Sequence, residues 1–359
     1  MIHGGDIYTQ TIEQDFSVNM NPYPIPESVR ECLIRSISKI QHYPDPSQME
    51  FRRKIAEVEQ VDVSQVIGGN GASELLLAIA RTWMPKKALL ISPGFYGYRH
   101  ALQSVGCEIL EYRLKEELDF QMQEDYLNFI SEEMDLLFLT NPNNPTGRNI
   151  DGALLEKIME RCQKTKTRVV IDECFLRMSD ATGKASWKHQ IEKYENLLIV
   201  NAFTKLFTLP GVRTGYLISK KENIELVARQ LSEWNMSVLA QDVSAHCCDI
   251  LLHTDFEEKS LALIQTERGY LSNALRELGF RVYPSDTSYI LFYVKEEEKS
   301  NHYSNKVDKN LYERLVAQKV LIRDCSNFHG LKQGFYRIAV KNHEENEALI
   351  EKIRKCYES

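Results

Sequence analysis

Long hydrophobic runs are missing from this 359-residue chain. No apolar stretch reaches the roughly 20 residues that span a bilayer, so no membrane partner is expected. A basic excess is missing too. The formal net charge is −7, which argues against nucleic acid as the main partner and makes any anion site a local feature. The start, Met1-Ile-His-Gly-Gly-Asp-Ile-Tyr8, has neither the basic residues nor the apolar core of a signal peptide, and a cytoplasmic location is expected. Eight cysteines occur without Cys-x-x-Cys spacing, and Cys247 and Cys248 are adjacent. Adjacent cysteines suit neither one disulfide nor one metal, so free buried thiols are expected, with no metal site. No internal repeat or low-complexity linker divides the chain. What is present is an ordinary globular balance, 43% hydrophobic and 26% charged. The length allows two domains or one large α/β unit.

Residues 1–24 are rich in Gly, Asn and Pro and read as an extended arm; Pro22, Pro24 and Pro26 oppose a helix there. A short helix is predicted near 27–40. From about 50 to 220, apolar strands alternate with amphipathic helices. Ala88–Ile91, Leu136–Leu139, Val169–Ile171 and Leu197–Val200 read as buried strands. Helical patterns lie near 72–84, 96–105, 151–164 and 222–252. This alternation predicts a mostly parallel sheet covered on both faces. Beyond 255 the pattern changes to helices near 257–278, 307–318 and 343–357 with short strands near 281–283, 289–293, 320–323 and 336–340. The expected domains are an arm and short helix (1–40), a large domain (41–254) and a smaller α+β domain (255–359). The charged stretch from Lys295 reads as a solvated loop.

Lys205 carries the chemical argument. It lies in Ala202-Phe-Thr-Lys-Leu-Phe207, and Arg213 follows eight residues later. Apolar surroundings favour a neutral amine, which is a nucleophile toward aldehydes. Thr204 and Arg213 are suited to hold a phosphate beside it. An aldehyde with a phosphate suggests pyridoxal 5'-phosphate (PLP). By itself such a lysine is more simply a core-edge residue with a solvated head. Three other strings change that. Gly68-Gly-Asn-Gly-Ala-Ser-Glu74 precedes a strong helix pattern, where Ala72 and Ser73 can donate N–H groups to an anion. Asn141-Pro-Asn-Asn-Pro-Thr-Gly147 follows a strand, and the Asn144 amide can donate to a phenolate oxygen. Asp172 ends the strand Arg168–Asp172, where a carboxylate can pair with a protonated pyridine nitrogen.

In this order the four strings resemble the fold-type I PLP enzymes of the class I/II aminotransferase group, along essentially the whole chain. The resemblance implies an α/β, PLP-dependent transferase-like fold, a mostly parallel central sheet in a large domain and a smaller α+β C-terminal domain. It implies that Lys205 is the Schiff-base lysine, that Asp172 pairs the pyridine nitrogen and that Asn144 bonds the 3'-oxygen. Ala72, Ser73, Thr204 and Arg213 would hold the phosphate, and Phe95 would stack on the ring. Tyr43 resembles a tyrosine that reaches the neighbouring subunit's cofactor phosphate, which implies a homodimer.

Two subfamilies fit best, the L-threonine-O-3-phosphate decarboxylases of cobalamin biosynthesis and the histidinol-phosphate aminotransferases. Three features resemble the decarboxylases. His3-Gly4-Gly5 resembles their arm, which folds over the substrate, and Asn19 falls on a substrate-contacting position. Phe175 stands where aminotransferases usually carry Tyr. Val320–Gly330 and Phe335–Val340 resemble their C-terminal motifs, with Arg337 for the α-carboxylate and Arg323, with His3, for the phosphate. Planar guanidinium forks suit both anions. The implied reaction is decarboxylation of L-threonine O-3-phosphate to (R)-1-aminopropan-2-yl phosphate, or of O-phosphoserine to ethanolamine phosphate. Departures from the pattern are Asn201, where relatives often have Arg, Cys174, Arg177 and Met178, and Asn235–Leu239 in place of Pro-Trp-Ser-Val-Asn. They bear on the substrate more than on the cofactor. A noncatalytic PLP-binding protein is the distant alternative; the acidic balance and the lack of a basic DNA-binding extension speak against a regulator.

Overall fold

The computed structural model describes residues 4–180, 186–295 and 309–357. Seven strands form the large sheet, in the order Val66–Asn70, Thr214–Ser219, Leu197–Asn201, Arg168–Asp172, Leu136–Thr140, Lys87–Ser92 and Glu108–Arg113. Thr214–Ser219 runs antiparallel to both neighbours, and the five strands from Leu197–Asn201 to Glu108–Arg113 pair in parallel. The central strands are apolar on both faces because both are covered. Leu137, Leu139, Val169, Ile171, Leu197 and Ile199 enter one core, while Leu136, Phe138, Val170, Leu198 and Val200 enter the other.

Four of the seven strands are the apolar runs named from sequence. The other three carry weaker signals. Glu108-Ile-Leu-Glu-Tyr-Arg113 is an edge strand with polar exposed positions. Val66–Asn70 contains two glycines. Thr214–Ser219 follows the Pro210-Gly211 turn and the phosphate-type arginine, and its Thr-Gly start interrupts the apolar run.

The predicted helices at 27–40, 72–84, 96–105 and 151–164 are found as Glu27–Ser36 with a further 3-10 turn, Ala72–Trp83, Tyr96–Gln103 and Gly152–Thr165. The expected single helix over 222–252 is two, Lys221–Ala228 and Val238–His253. Trp234 has φ +53°, which no helix accommodates, and the Ser237 hydroxyl then caps the second helix by accepting from Ala240 N at 3.1 Å. Met49–Glu59 is a helix that was not singled out from sequence.

The smaller sheet is antiparallel, in the order Arg323–Asp324, Phe335–Ala339, Tyr289–Tyr293 and Arg281–Val282. Period-2 alternation divides its faces. Ile322, Tyr336 and Ile338 pack into a core with Leu349 and Ile353 of the last helix, His343–Lys355. Arg323 and Arg337 alternate to the other face and are directly opposite each other in register. The arm crosses between the sheets: Gln14–Asp15 pairs with Val320–Leu321, and Asn21 N donates to Lys205 O at 3.0 Å.

Candidate active site

One cleft opens at the carboxyl ends of the parallel strands and is closed on its far side by the small sheet and the arm. Gly4, Asn19, Ala72, Ser73, Phe95, Asn144, Asp172, Thr204, Lys205, Arg213, Arg323 and Arg337 all line it. Of the remaining expected residues, His3 lies outside the described residues. Tyr43 does not line the cleft; it is 79% exposed, with its ring 4.6 Å from that of Trp234. Its expected role concerns a second copy.

Lys205 sits on the short helix Phe203–Leu206, directly after the strand Leu197–Asn201. The residue as a whole is half-buried, but its amine end is enclosed within the cleft, with Nζ 5.8 Å from the centre of the Phe175 ring. Burial, and then the charges of Arg337 and Arg213, push its pKa down to about 8, against the opposing influence of Cys174 and Asp172.

Asp172 is buried at its strand end and held from two sides. Cys174 N donates to Oδ1 at 3.0 Å, and the Tyr98 hydroxyl donates to Oδ2 at 2.8 Å. Thr140 Oγ1 in turn donates to the Tyr98 oxygen at 2.9 Å. Burial and the Asp172 charge push the Tyr98 phenol well above its ordinary range, so it remains a donor. Tyr98 and Thr140 were missed in sequence. The available signal was the spacing of Phe95 and Tyr98, three residues apart at a helix start, which puts both on one face. The two rings meet edge to face at 5.4 Å.

The anion end is the start of Ala72–Trp83, a twelve-residue helix with no side-chain cap. Its first N–H groups therefore need an acceptor. Gly71 has φ +73°, and a Cβ there would lie 2.4 Å from Arg213 Nη2. A Cβ on Gly215 would lie 2.6 Å from Ala72 N, so both glycines keep this cup open. The buried Thr214 Oγ1 has no partner among the described residues. Thr204 Oγ1 donates to Thr214 O at 3.2 Å. These donors fit a phosphate, and the buried amine and strand-end carboxylate fit the aldehyde and ring nitrogen of PLP.

At the other end, Arg337 donates through Nη1 to Asn144 Oδ1 and through Nη2 to Ser17 O at 2.7 Å. Burial lowers its pKa to about 10, and the Arg323 charge adds to the shift. Arg323 donates to Asp324 O at 2.6 Å and to Asn327 Oδ1 at 2.7 Å. Asn19 is 2% exposed, and its Oδ1 has no partner among the described residues. At the mouth, Arg99 pairs with Glu111, and His329 Nδ1 lies 3.2 Å from Glu111 Oε1. Sequence spacing carried no sign of this cluster. Of the departures, Cys174 lines the cleft, while Asn201 Oδ1 accepts from its neighbour Ala202 N at 2.8 Å.

A buried amine, a strand-end carboxylate and an open helix start in one cleft define a lysine-based site for a phosphorylated aldehyde. Residues 11–353 match the family Aminotransferase class I and II. The chain belongs to this family, and its cofactor is PLP. It is 30% identical over 343 residues to the threonine-phosphate decarboxylase of Salmonella typhimurium, covering 95% of this chain and 90% of that protein. It is 31% identical over 346 residues to an adenosylcobalamin biosynthesis bifunctional protein of Leptospira interrogans, covering 94% of this chain and 38% of that protein. The crystal structure of the histidinol-phosphate aminotransferase from Clostridium acetobutylicum superimposes with a TM-score of 0.84 at 27% identity, covering 96% of this chain and 98% of that one. Among the described residues, no helix is long and apolar enough to cross a membrane.

Proposed function

We propose that this enzyme decarboxylates a phosphorylated α-amino acid, L-threonine O-3-phosphate or O-phosphoserine, in a cobalamin-related role. The observation that carries this reading is the cross-strand pair Arg323 and Arg337, both buried and facing one cleft. Like charges directly opposite in a sheet are destabilising, and anionic ligands would offset that cost here. Cross-strand neighbours have Cβ atoms about 5 Å apart. That spacing suits the carboxylate and phosphate of a β-phosphorylated amino acid, whose two anions are joined through two carbons. The similarity to the Salmonella and Leptospira proteins supports the same reading. The alternative, a histidinol-phosphate-type aminotransferase, has the Clostridium structure in its favour. Its amino substrate brings no carboxylate to the second arginine.

Bound PLP supplies an electron sink, which Asp172 maintains by keeping the ring nitrogen protonated. Ala72, Ser73, Thr204 and Arg213 would hold its phosphate, and Asn144 would serve its 3'-oxygen. Arg337, braced by Asn144 and by Ser17 of the arm, holds the substrate carboxylate. That contact would orient the carboxylate for loss as CO2, with the electron pair of the broken bond passing to the electron sink the cofactor would supply. Arg323 holds the phosphate, and this remote contact orients the reacting carbon. Lys205 Nζ carries the proton that replaces the carboxylate. Phe175 beside it has no exchangeable proton.

Phosphothreonine, phosphoserine and histidinol phosphate with 2-oxoglutarate are the discriminating substrates. CO2 from a phosphoamino acid is the expected result; glutamate from histidinol phosphate without CO2 from either would establish the alternative. Arg323→Ala weakens recognition of the phosphate by about 2–5 kcal/mol. Its preference for phosphorylated over unphosphorylated amino acid therefore narrows, and an unchanged preference would move the phosphate elsewhere.

The Lys205 amine reacts only when neutral. Capture of PLP by the apo-protein, trapped with borohydride, therefore rises about tenfold per pH unit at low pH. It levels off near pH 8, the pKa that burial and the neighbouring arginines impose. A rate still climbing above pH 10 would mean an unperturbed lysine.

A further inference from the structure

The segment around Asn235 does not line the cleft, yet it is bonded to the loop that ends in the anion cup. Gly68 is the hub. Its N–H donates to Gln48 Oε1 at 2.7 Å, and its carbonyl accepts from Gln48 Nε2 at 3.3 Å and from Asn235 Nδ2 at 3.1 Å. Gln48 Nε2 also donates to Asn235 Oδ1 at 2.7 Å. Asn235 Nδ2 reaches Glu74 Oε2 at 2.8 Å, and the same oxygen accepts from Asn70 N at 2.6 Å. Two amides and a carboxylate thus tie Gly68, Asn70 and Glu74 into one frame. The open helix start, Gly71-Ala72-Ser73, lies inside that frame in sequence.

The Gln48 and Gly68 side of the frame is tightly enclosed, while Asn235 and Glu74 are partly exposed. Gln48 is 4% exposed. A Cβ at Gly68 would lie 2.2 Å from Met236 Sδ and 2.6 Å from the Phe51 ring. Gln48 and Trp234 have left-handed backbones, φ +52° and +53°. Such conformations cost energy in residues other than glycine and persist where the surroundings over-determine them.

We propose that Asn235, with Gln48 and Glu74, is a positioning residue for the cofactor phosphate. It holds residues 68–74 so that the Ala72 and Ser73 N–H groups stay directed at one anion. Donors fixed before binding cost no ordering when the anion arrives, which is how preorganisation raises affinity. The proposal rests on the cup as the phosphate site and is independent of which Cα bond breaks.

The test compares PLP with pyridoxal, which lacks the phosphate, in titrations of apo-protein. Asn235→Ala removes the amide. Asn235→Asp keeps its shape and the acceptor for Gln48, but donates to neither Gly68 nor Glu74 and sets a like charge against Glu74. In both variants PLP affinity falls about tenfold or more, while pyridoxal affinity changes less than about twofold. The ratio is the decisive readout, because a general loss of packing weakens both ligands alike. Equal weakening of the two, or unchanged PLP affinity, overturns the proposal. Arg213→Ala is run in parallel, and its ratio falls because the guanidinium borders Gly71. An unchanged ratio in that variant would remove the cup from the phosphate and overturn the proposal with it.

Discussion

Lys205→Ala lowers kcat by at least about a thousandfold, and borohydride fixes no cofactor to the protein. The size of the loss follows from two duties in one side chain. In the proposed reaction the amine is both the nucleophile for the cofactor aldehyde and the proton carrier at the substrate carbon. Its pKa near 8 suits both, since protonated and neutral forms coexist near neutral pH. Among the described residues lining the cleft it is the one lysine, so none of them substitutes for it. Peptide mapping after reduction of the wild type should place the label on the peptide containing Lys205. Label on another lysine, or a variant within tenfold of wild-type turnover, would defeat the assignment.

The largest effect on stability belongs to a residue away from the cleft. Glu59, 3% exposed, accepts from Arg177 at 2.8 Å, from Lys188 at 2.6 Å and from the Tyr216 hydroxyl at 2.6 Å. Burial alone would raise its pKa, but the Arg177 and Lys188 charges overcome this and hold it at about 2. Arg177 has a second partner, Glu257 at 2.6 Å, and Lys188 relies on Glu59. Glu59→Gln keeps the shape and removes the charge, leaving buried cations undercompensated at a cost of about 3–5 kcal/mol. The pH dependence has a definite sign. The folded pKa lies below the ordinary value of 4.5, so this stabilisation is full above pH 4.5 and is lost as pH falls toward 2. Denaturant unfolding at pH 7 and pH 3 measures both. The gap between wild type and variant should be wide at pH 7 and narrower at pH 3. A variant matching the wild type at pH 7 would show that the network adds nothing.

Ala72, Ser73, Asp172 and Lys205, which line the inner cleft, were legible in the sequence because each depends on local backbone. A glycine turn before a helix, a carboxylate ending an apolar strand and a lysine after another strand each sit within a few residues of the feature that orients them. Strand and helix periodicity then brings the strand ends together, since parallel strands joined by helices point the same way. Phe175, Asn144 and the two arginines were legible through resemblance rather than through spacing.

What the chain alone did not disclose depends on partners far apart in sequence. Tyr98 is 74 residues from Asp172, and Arg177 is 118 residues from Glu59. Gln48 meets Asn235 across 187 positions. The break at Trp234 was read as continuous helix because its left-handed backbone is held by surrounding contacts, not by a glycine or proline. Likewise Arg323 and Arg337 are individually readable as arginines on short strands, but their opposition is a matter of register. The sequence by itself determined the cofactor, through short strings whose geometry is local. Tertiary packing alone decided which distant side chains brace those strings and that two arginines share one face, because a hydrogen bond or strand pairing fixes distance in space without any period along the chain.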